Sequence, residues 1–262
     1  MTEPEKLRLG GMALRNGLLV HGPTHWAAAV RTDEGEVKVA SGRKPRVEVM
    51  GDVPGVRGVL RLGEALAVLP LMRVALPEAR LALESPSVLG VAAGASMTAS
   101  LLRRRSGAAG DAAAAVVSLV PALFALRNGE LAAYHGVEHK AIAAYEEDRP
   151  DAADAAKEHD RCGSHLVAPM LASNVTGTLL LRQALERPGA VANGMLGLAS
   201  TAVAVEVFSW SERNAATPLA RALRRPGYEI QRLVGTREPD ERQLEVGRAA
   251  LAEILRVEGV AP

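Results

Sequence analysis

Two histidines four residues apart, with a carboxylate beside the second, are the residues of this chain best suited to chemistry. They form the pentapeptide His135-Gly136-Val137-Glu138-His139, which lies in a helix-favouring context. In a helix, residues i and i+4 point to the same side, so both imidazoles can reach one cation. The pattern H-x-x-E-H is the inverse of the H-E-x-x-H zinc motif, in which a glutamate activates water. It predicts a metal site with Glu138 as general base, although so short a match also arises by chance.

A second cluster, which contains His159 and Cys162, follows the pentapeptide. Cys162 is the only cysteine of the chain, so it cannot form an intramolecular disulfide and needs no oxidising compartment. Imidazole and thiolate ligands favour zinc over magnesium or calcium, whereas iron, nickel and cobalt stay open on ligand type alone. We expect His135, His139, His159 and Cys162 to bind one divalent metal, with zinc as the best match. The alternative is that Cys162 is a small buried apolar residue beside the turn at Gly163.

The number of ligands decides what such a metal does. Four protein ligands make a closed, structural site, whereas an open position makes a catalytic one. Glu138 is expected to act on bound water, or else to orient a histidine from outside the ligand set. The other histidines have simpler interpretations: His21 and His25 flank a Gly-Pro turn, and His165 begins an apolar segment as a hydrogen-bonded residue.

The charge balance argues against nucleic acid as a partner. The chain has 262 residues, with 31 Lys plus Arg against 30 Asp plus Glu, and only 3% of its residues are aromatic. The isoelectric point near 8.0 lies below the strongly basic range, and no basic run is interleaved with stacking side chains. The N-terminal segment lacks the apolar core of a secretory signal, so export by cleavage is not expected.

Four charge-free apolar stretches, at 86–102, 112–126, 166–181 and 188–205, raise the question of a membrane. A spanning helix needs about 20 apolar residues and at least roughly 17, so only the first and last are long enough. All four are rich in Ala, Gly and Ser, which allow close helix packing in membranes. The alternative is a soluble helical bundle with an Ala-rich core, in keeping with the mean hydropathy of +0.07.

If these stretches span a bilayer, they form two hairpins and leave the remaining segments on one side. The positive-inside bias then predicts that the N-terminal, site-bearing and C-terminal segments face the cytoplasm, although Arg103, Arg104 and Arg105 argue the other way. A free Cys162 fits this reducing compartment. Glu206 follows the last stretch and is either a functional intramembrane carboxylate or an interfacial residue beside Trp210.

These patterns predict a mainly α fold in three parts. Residues 1–55 form a small N-terminal antiparallel β region, because short apolar runs alternate with glycine-marked turns. Residues 56–210 form a multi-span helical membrane bundle, which includes the metal-site segment 127–165. Within it, we expect a helix over 56–84 that breaks near Pro70 or Pro77, a continuous helix over 128–147 and a short helix over 152–158. Residues 211–262 form a cytoplasmic region that closes on an amphipathic helix.

Three sequence blocks identify a family that this chain resembles. Tyr134 to Lys140 looks like the H-G-A-E-H-K block of the YqhQ-like family, His159 to Ser164 is similar to its H-P-R-C-G-T block, and Gln231 to Asp240 is similar to its Q-R-L-T-T-R-E-P-D tail. The members are bacterial multi-span membrane proteins of unknown function that are catalogued as predicted metal-dependent enzymes. The resemblance covers nearly the whole chain, and it implies a bacterial inner-membrane location. The N-terminal glycine-rich block departs from the family pattern, since its Gln, Glu and Arg are replaced here.

The function expected from these observations is that of a membrane-associated, cytoplasm-facing, metal-dependent hydrolase whose substrate the sequence does not reveal. Two alternatives stay open, a non-catalytic membrane scaffold or assembly factor with a structural zinc, and a soluble metal-binding helical protein. The expected partners are the lipid bilayer and either another membrane protein or a second copy of the chain. The sequence contains no phosphate loop, nucleotide fingerprint or nucleophile elbow.

Overall fold

The computed structural model describes residues 6–46, 55–104, 108–127, 129–185 and 188–260. Its N-terminal part is an antiparallel sheet, as the sequence predicts, with the strands in the order in which they follow one another in the chain. The first two strands are separated by a tight turn at Arg15 and Asn16, where the side chain of Asn16 bonds the backbone of Arg31, Glu78 and Arg80. The strands are β1 (Gly10–Leu14), β2 (Gly17–His21), β3 (His25–Arg31) and β4 (Val37–Arg43).

Both faces of this sheet are covered, which explains why β2 and β3 are continuously apolar. One face packs against the helices α5 (Glu130–Glu146) and α9 (Glu241–Glu258), and the other packs against α1 (Arg57–Ala75). Successive side chains of a strand point to opposite faces, so Leu18 contributes to the first layer and Leu19 to the second.

The described residues contain six further α-helices. Helix α2 packs against α3 and α4, α6 packs against α7, and α3 contacts α6. Where α3 and α6 meet, Arg182 forms an ion pair of 2.7 Å with the buried carboxylate of Asp111. These helices are α2 (Pro86–Arg104), α3 (Ala108–Val117), α4 (Val120–Arg127), α6 (Val167–Ala184), α7 (Ala190–Arg213) and α8 (Pro218–Ile230).

The predicted multi-span membrane bundle is wrong, although the mainly helical character and the small antiparallel sheet are confirmed. Among the described residues, two helical segments are long and apolar enough to cross a bilayer, Ala109–Arg127 and Val191–Arg213. They correspond to the predicted stretches 112–126 and 188–205. The stretches 86–102 and 166–181 form α2 and most of α6, which are not among these segments, so the expectation that 86–102 is long enough to span is wrong.

Some element boundaries also differ from the predictions. Helix α1 continues through Pro70 and ends at Ala75, so of the two predicted break points the chain uses the one near Pro77. Helix α5 begins after Gly129, whose φ of +87° suits glycine, while Asn128 lies outside the described residues. In place of the predicted short helix over 152–158, the chain forms only the three-residue 3₁₀ turn Ala152–Asp154. The predicted C-terminal amphipathic helix is α9, and it buries its apolar stripe against the sheet.

Candidate metal centre

The face of α5 that carries the pentapeptide points into the protein. Spacings of three and four residues place His135, Glu138 and His139 side by side on this face. The rings of His135 and His139 lie with centroids 4.3 Å apart. His139 is 1% exposed and Glu138 is 8% exposed, so both polar groups have been removed from water.

Backbone carbonyls fix the orientation of both α5 histidines. The Nδ1–H of His135 donates to the carbonyl of Gly235 at 2.8 Å, and that of His139 donates to the carbonyl of Lys157 at 2.6 Å. These bonds leave the Nε2 lone pair of each ring directed away from the backbone, as in metal-binding histidines. The Nε2 atom of His139 is buried and has no hydrogen-bond partner. Burying a nitrogen without a partner costs free energy, so this atom is a candidate to bind a metal ion.

Cys162 completes a group of three candidate ligands. Its Sγ lies 3.3 Å from Nε2 of His135. One ligand atom each from His135, His139 and Cys162 can be chosen so that all three lie within 4.8 Å of one another. Cys162 reaches this position because it caps the 3₁₀ turn Gly163–Leu166, where Sγ accepts from the N–H of Ser164. Three donors at this separation surround a space that suits one cation.

The same thiol is poorly suited to act as a free nucleophile. Burial, reinforced by the negative charge of Glu138, raises the pKa of Cys162 to about 11. Burial also lowers the pKa of His139 well below its usual value, with a further contribution from His135. A catalytic cysteine needs a depressed thiol pKa, whereas a metal can displace the proton and bind the thiolate. The group therefore fits a soft divalent cation better than cysteine catalysis.

His159, the fourth predicted ligand, is held by other partners. Its ring lies 5.6 Å from that of His139, but its Nε2 faces the carboxylate of Glu146 at 3.3 Å and its Nδ1 accepts from the N–H of Arg161 at 3.3 Å. Burial alone would raise the pKa of Glu146. The hydrogen bonds and charges of His159 and Arg161 have the larger combined effect, so this pKa is lowered. The structure thus brings three of the four predicted ligands together and places His159 beside them, with both ring nitrogens engaged.

Glu138 lies within the group, between the ligands and the sheet. Its carboxylate is 4.0 Å from Nε2 of His135. Burial raises the pKa of Glu138, and the charge of His135 opposes this only in part. A carboxyl group with a raised pKa is suited to accept and return a proton near neutral pH. Gly11 of β1 makes room for it, since a Cβ on Gly11 would lie 2.6 Å from Cγ and 2.7 Å from Oε1 of Glu138.

The C-terminal segment also builds the site, and this role was not foreseen from sequence. Gln231 is fully buried, accepts from the N–H of His159 and donates to Ser164 Oγ, so it holds the loop that carries Cys162. It begins the π-helical turn Gln231–Gly235, whose last carbonyl orients His135. The sequence feature that could have predicted this role is the similarity of residues 231–240 to the Q-R-L-T-T-R-E-P-D tail of the YqhQ-like family.

A close approach of another segment explains why a glycine, Gly136, lies inside the pentapeptide. The C-terminal segment crosses α5 so closely that a Cβ at this position would collide with the carbonyl oxygen of Arg237. The N–H of Arg237 bonds to the carbonyl of Ala132 at 2.9 Å and fixes this crossing.

An apolar cleft of about 630 Å³ opens onto the candidate ligands. The floor carries His135, Glu138, His139 and Cys162, while His159 and Arg161 also contribute to the lining. The walls come mainly from leucines of α1 and of the segments before α2 and around the start of α5. These are Leu62, Leu66, Leu69, Leu83, Leu126 and Leu131. The cleft thus combines polar residues that are suited to bind a metal with a hydrophobic lining.

The remaining polar residues singled out from sequence lie outside the ligand group. His21 ends β2 and His25 begins β3, and His25 sits beside Thr24 and Glu258. His165 is buried and donates from Nδ1 to the carbonyl of Arg224 at 2.8 Å. Glu206 accepts from the N–H of Gly55 at 3.0 Å.

Comparison with known proteins relates the second half of the chain to an uncharacterised family. A family model described as a protein of unknown function (DUF1385) matches residues 129–257. The matched region begins one residue before α5 and ends within the last turn of α9, so it includes every candidate ligand and the C-terminal segment that supports them. No curated protein and no solved structure matches the chain.

Proposed function

We propose that this protein is a membrane-associated, metal-dependent hydrolase that binds one divalent cation, for which zinc is the best match, through His135, His139 and Cys162. The observation that supports this proposal most directly is the buried, unpartnered Nε2 of His139, which faces a histidine nitrogen and a thiol at ligand separation. Most buried polar atoms have a hydrogen-bond partner, so an unpartnered nitrogen beside two other candidate ligand atoms supports a metal-binding role.

Three protein ligands favour catalysis over a structural metal. His159 is engaged by Glu146 and Arg161, so we assign it to the support of the site rather than to the ligand set. Three ligands leave one position open for substrate or water. When bound, the cation would act as a Lewis acid on a carbonyl or phosphoryl oxygen. Glu138, buried beside His135, would take a proton from the attacking water and return it to the leaving group.

The membrane association is proposed from the two apolar segments Ala109–Arg127 and Val191–Arg213. Only 17% and 11% of their most apolar windows are buried, whereas the core helix of a soluble protein is mostly buried. Exposed apolar surface of this extent favours a lipid environment. The resemblance to the YqhQ-like family supports a bacterial inner membrane, and the free thiol of Cys162 favours a site that faces the reducing cytoplasm.

Metal analysis of the detergent-purified chain tests the proposal. After zinc loading and dialysis, we expect one equivalent in the wild type and a loss of affinity of at least about tenfold to 100-fold in His139→Ala and Cys162→Ala. Glu138→Gln should keep the metal, because the amide preserves the shape of the side chain and Glu138 is not a ligand. His159→Ala should bind within a few-fold of wild type.

Two results would contradict the proposal. Failure of the wild type to retain zinc, cobalt or iron would exclude the metal centre. A loss of metal in His159→Ala as severe as that in His139→Ala would indicate four closed ligands, and therefore the structural zinc of a non-catalytic scaffold. In cells that depend on this protein, Glu138→Gln should abolish function if it is an enzyme and preserve it if it is a scaffold.

A further inference from the structure

We infer that the candidate metal centre receives an anionic amphiphile, a membrane lipid whose phosphate lies in a basic pocket and whose acyl chain lies in the apolar cleft. This inference deepens the proposed function and depends on it. Its basis is the direct continuity of two cavities of opposite character on the described part of the chain.

The apolar cleft has the size and walls of a site for a hydrocarbon chain. Its volume of about 630 Å³ falls in the range of cavities that enclose most of a small organic ligand. Leu62 and Leu66 of α1 are 42% and 46% exposed although they line it. Leucines that remain this accessible beside a cavity gain free energy when an apolar chain covers them.

The basic pocket, of about 490 Å³, adjoins the cleft and shares Leu62, His21 and Arg161 with it. Five cationic side chains line this pocket against the two carboxylates of Glu64 and Glu212. The cations are Arg8, Lys44, Arg46, Arg61 and Arg161. Arg8 already pairs with Glu212 at 2.9 Å and Arg161 with Glu146, so the remaining cations, Lys44, Arg46 and Arg61, are those that would complement a phosphate. Arginines can bind a phosphate through paired hydrogen bonds.

Lys44, which lines the basic pocket, lies near other cations. Burial lowers the pKa of Lys44; Glu64 opposes the shift, while Arg61 and Arg46 add to it. The Nζ atom also lies 3.4 Å from Nδ1 of His21. A phosphate placed here would offset the repulsion among these cations, and it would be shielded from competing salt by the pocket walls.

The two cavities lie where the apolar segments end. Leu126, at the end of α4, lines the cleft, while Phe208 and Glu212, at the end of α7, line the basic pocket. If these segments enter a bilayer, both cavities lie at its surface, where lipid headgroups and the first part of their chains are found. His21, Leu62 and Arg161 line both cavities, so a phosphate in the basic pocket would lie beside the cleft that carries the metal ligands.

The test compares three probes that separate the contribution of the acyl chain from that of the phosphate charge. Zinc-loaded wild type in mild detergent is titrated with palmitoyl lysophosphatidate, with palmitoyl glycerol, which keeps the chain, and with glycerol phosphate, which keeps the charge. Native mass spectrometry measures each bound fraction. We expect lysophosphatidate to bind at least about tenfold more tightly than either fragment, because both cavities then contribute to one ligand.

Two substitutions assign the contributions to the two cavities. Arg61→Glu should weaken lysophosphatidate about tenfold and leave palmitoyl glycerol unchanged, whereas Leu66→Asp should weaken both. The matched control Arg221→Glu changes an exposed arginine that lines neither cavity, and it should have no effect. If Leu66→Asp does not fold, Leu66→Trp fills the same cleft with a larger apolar group and should weaken both chain-bearing probes.

Equal binding of lysophosphatidate and palmitoyl glycerol would overturn the inference, and so would tight binding of glycerol phosphate alone, which would indicate a site for free phosphate esters. Wild-type binding in Arg61→Glu and in both cleft variants would also overturn it. Zinc content, measured on the same samples, separates this failure from failure of the proposed function. One bound zinc without lipid preference rejects only the lipid, whereas no bound zinc rejects the metal centre itself.

Discussion

The sheet region and the helical region differ in the size of the side chains that they bury. The largest fully buried apolar side chains lie in the sheet and in the helices that cover it, such as Leu18, Val20 and Ile254. In α2, α3, α6 and α7 most described buried residues are small or polar, among them Ser200 and Asp111, and Val88 is an exception. Many large apolar residues of those helices are exposed; they include Met97, Leu101, Val116, Leu180, Val191, Met195, Leu198 and Val203.

Water drives large apolar residues inside, as in the sheet region. In lipid this driving force between helices is missing, so small residues mediate the packing and large apolar residues face outward. The proposed entry of Ala109–Arg127 and Val191–Arg213 into a bilayer would account for the exposed apolar residues of these two segments. The candidate metal centre lies where α5 packs against the sheet, close to the end of α4.

A charge on the exposed face of α7 should have the largest effect. Leu198→Arg is expected to cost about 3 kcal/mol of membrane insertion, which should appear as a smaller membrane-bound fraction after alkaline extraction. Val39→Arg in β4 is the matched control, because Val39 is 41% exposed in the sheet region and should tolerate the charge within about 0.5 kcal/mol. Equal behaviour of the two variants would show that both regions face water.

Acid should destabilise the sheet region through His21. Burial, helped by the charge of Lys44, lowers the pKa of His21 to about 4 from 6.5. The unfolded chain therefore takes up this proton first as the pH falls, and stability should drop between pH 6.5 and 4 by at most about 3 kcal/mol. Above pH 6.5 His21 is neutral in both states and contributes no pH dependence.

The variant His21→Asn isolates this contribution from the other titrating groups. Thermal unfolding of wild type and variant should run parallel above pH 6.5, and the wild type should lose more stability below it. Parallel curves down to pH 4 would show that His21 titrates normally and that the basic pocket is more open to water than its lining indicates.

Replacing glycine by alanine should change stability in opposite directions at a crowded glycine of the site and at a glycine of the helical region with open space around it. Gly11→Ala places a Cβ against the Glu138 carboxylate, so we expect a loss of about 1–3 kcal/mol in stability and a displaced Glu138. Gly94→Ala in α2 meets nothing within 4 Å and should stabilise that helix slightly. Chemical denaturation in detergent measures both, and a neutral Gly11→Ala would show that β1 does not press on Glu138.

Local patterns were sufficient to predict much of this chain. Helical spacing placed His135 and His139 on one face of α5, because that relation depends only on residues within one turn. Alternation of apolar runs and turns predicted the antiparallel sheet for the same reason. Apolar length was only a partial guide, since it selected 86–102 and 188–205, whereas among the described residues the segments long and apolar enough to cross a bilayer are Ala109–Arg127 and Val191–Arg213.

What only the tertiary structure decided is which polar groups meet across the chain. His159 looked equivalent to the other ligands in sequence, but Glu146 and the backbone of Arg161 engage it. Gly235 orients His135 from 100 residues away. The residue types and their local spacing thus determined the candidate chemistry and the helix that carries it. The ligand set, the support by Gln231 and the cleft depended on contacts between distant segments, which local spacing does not encode.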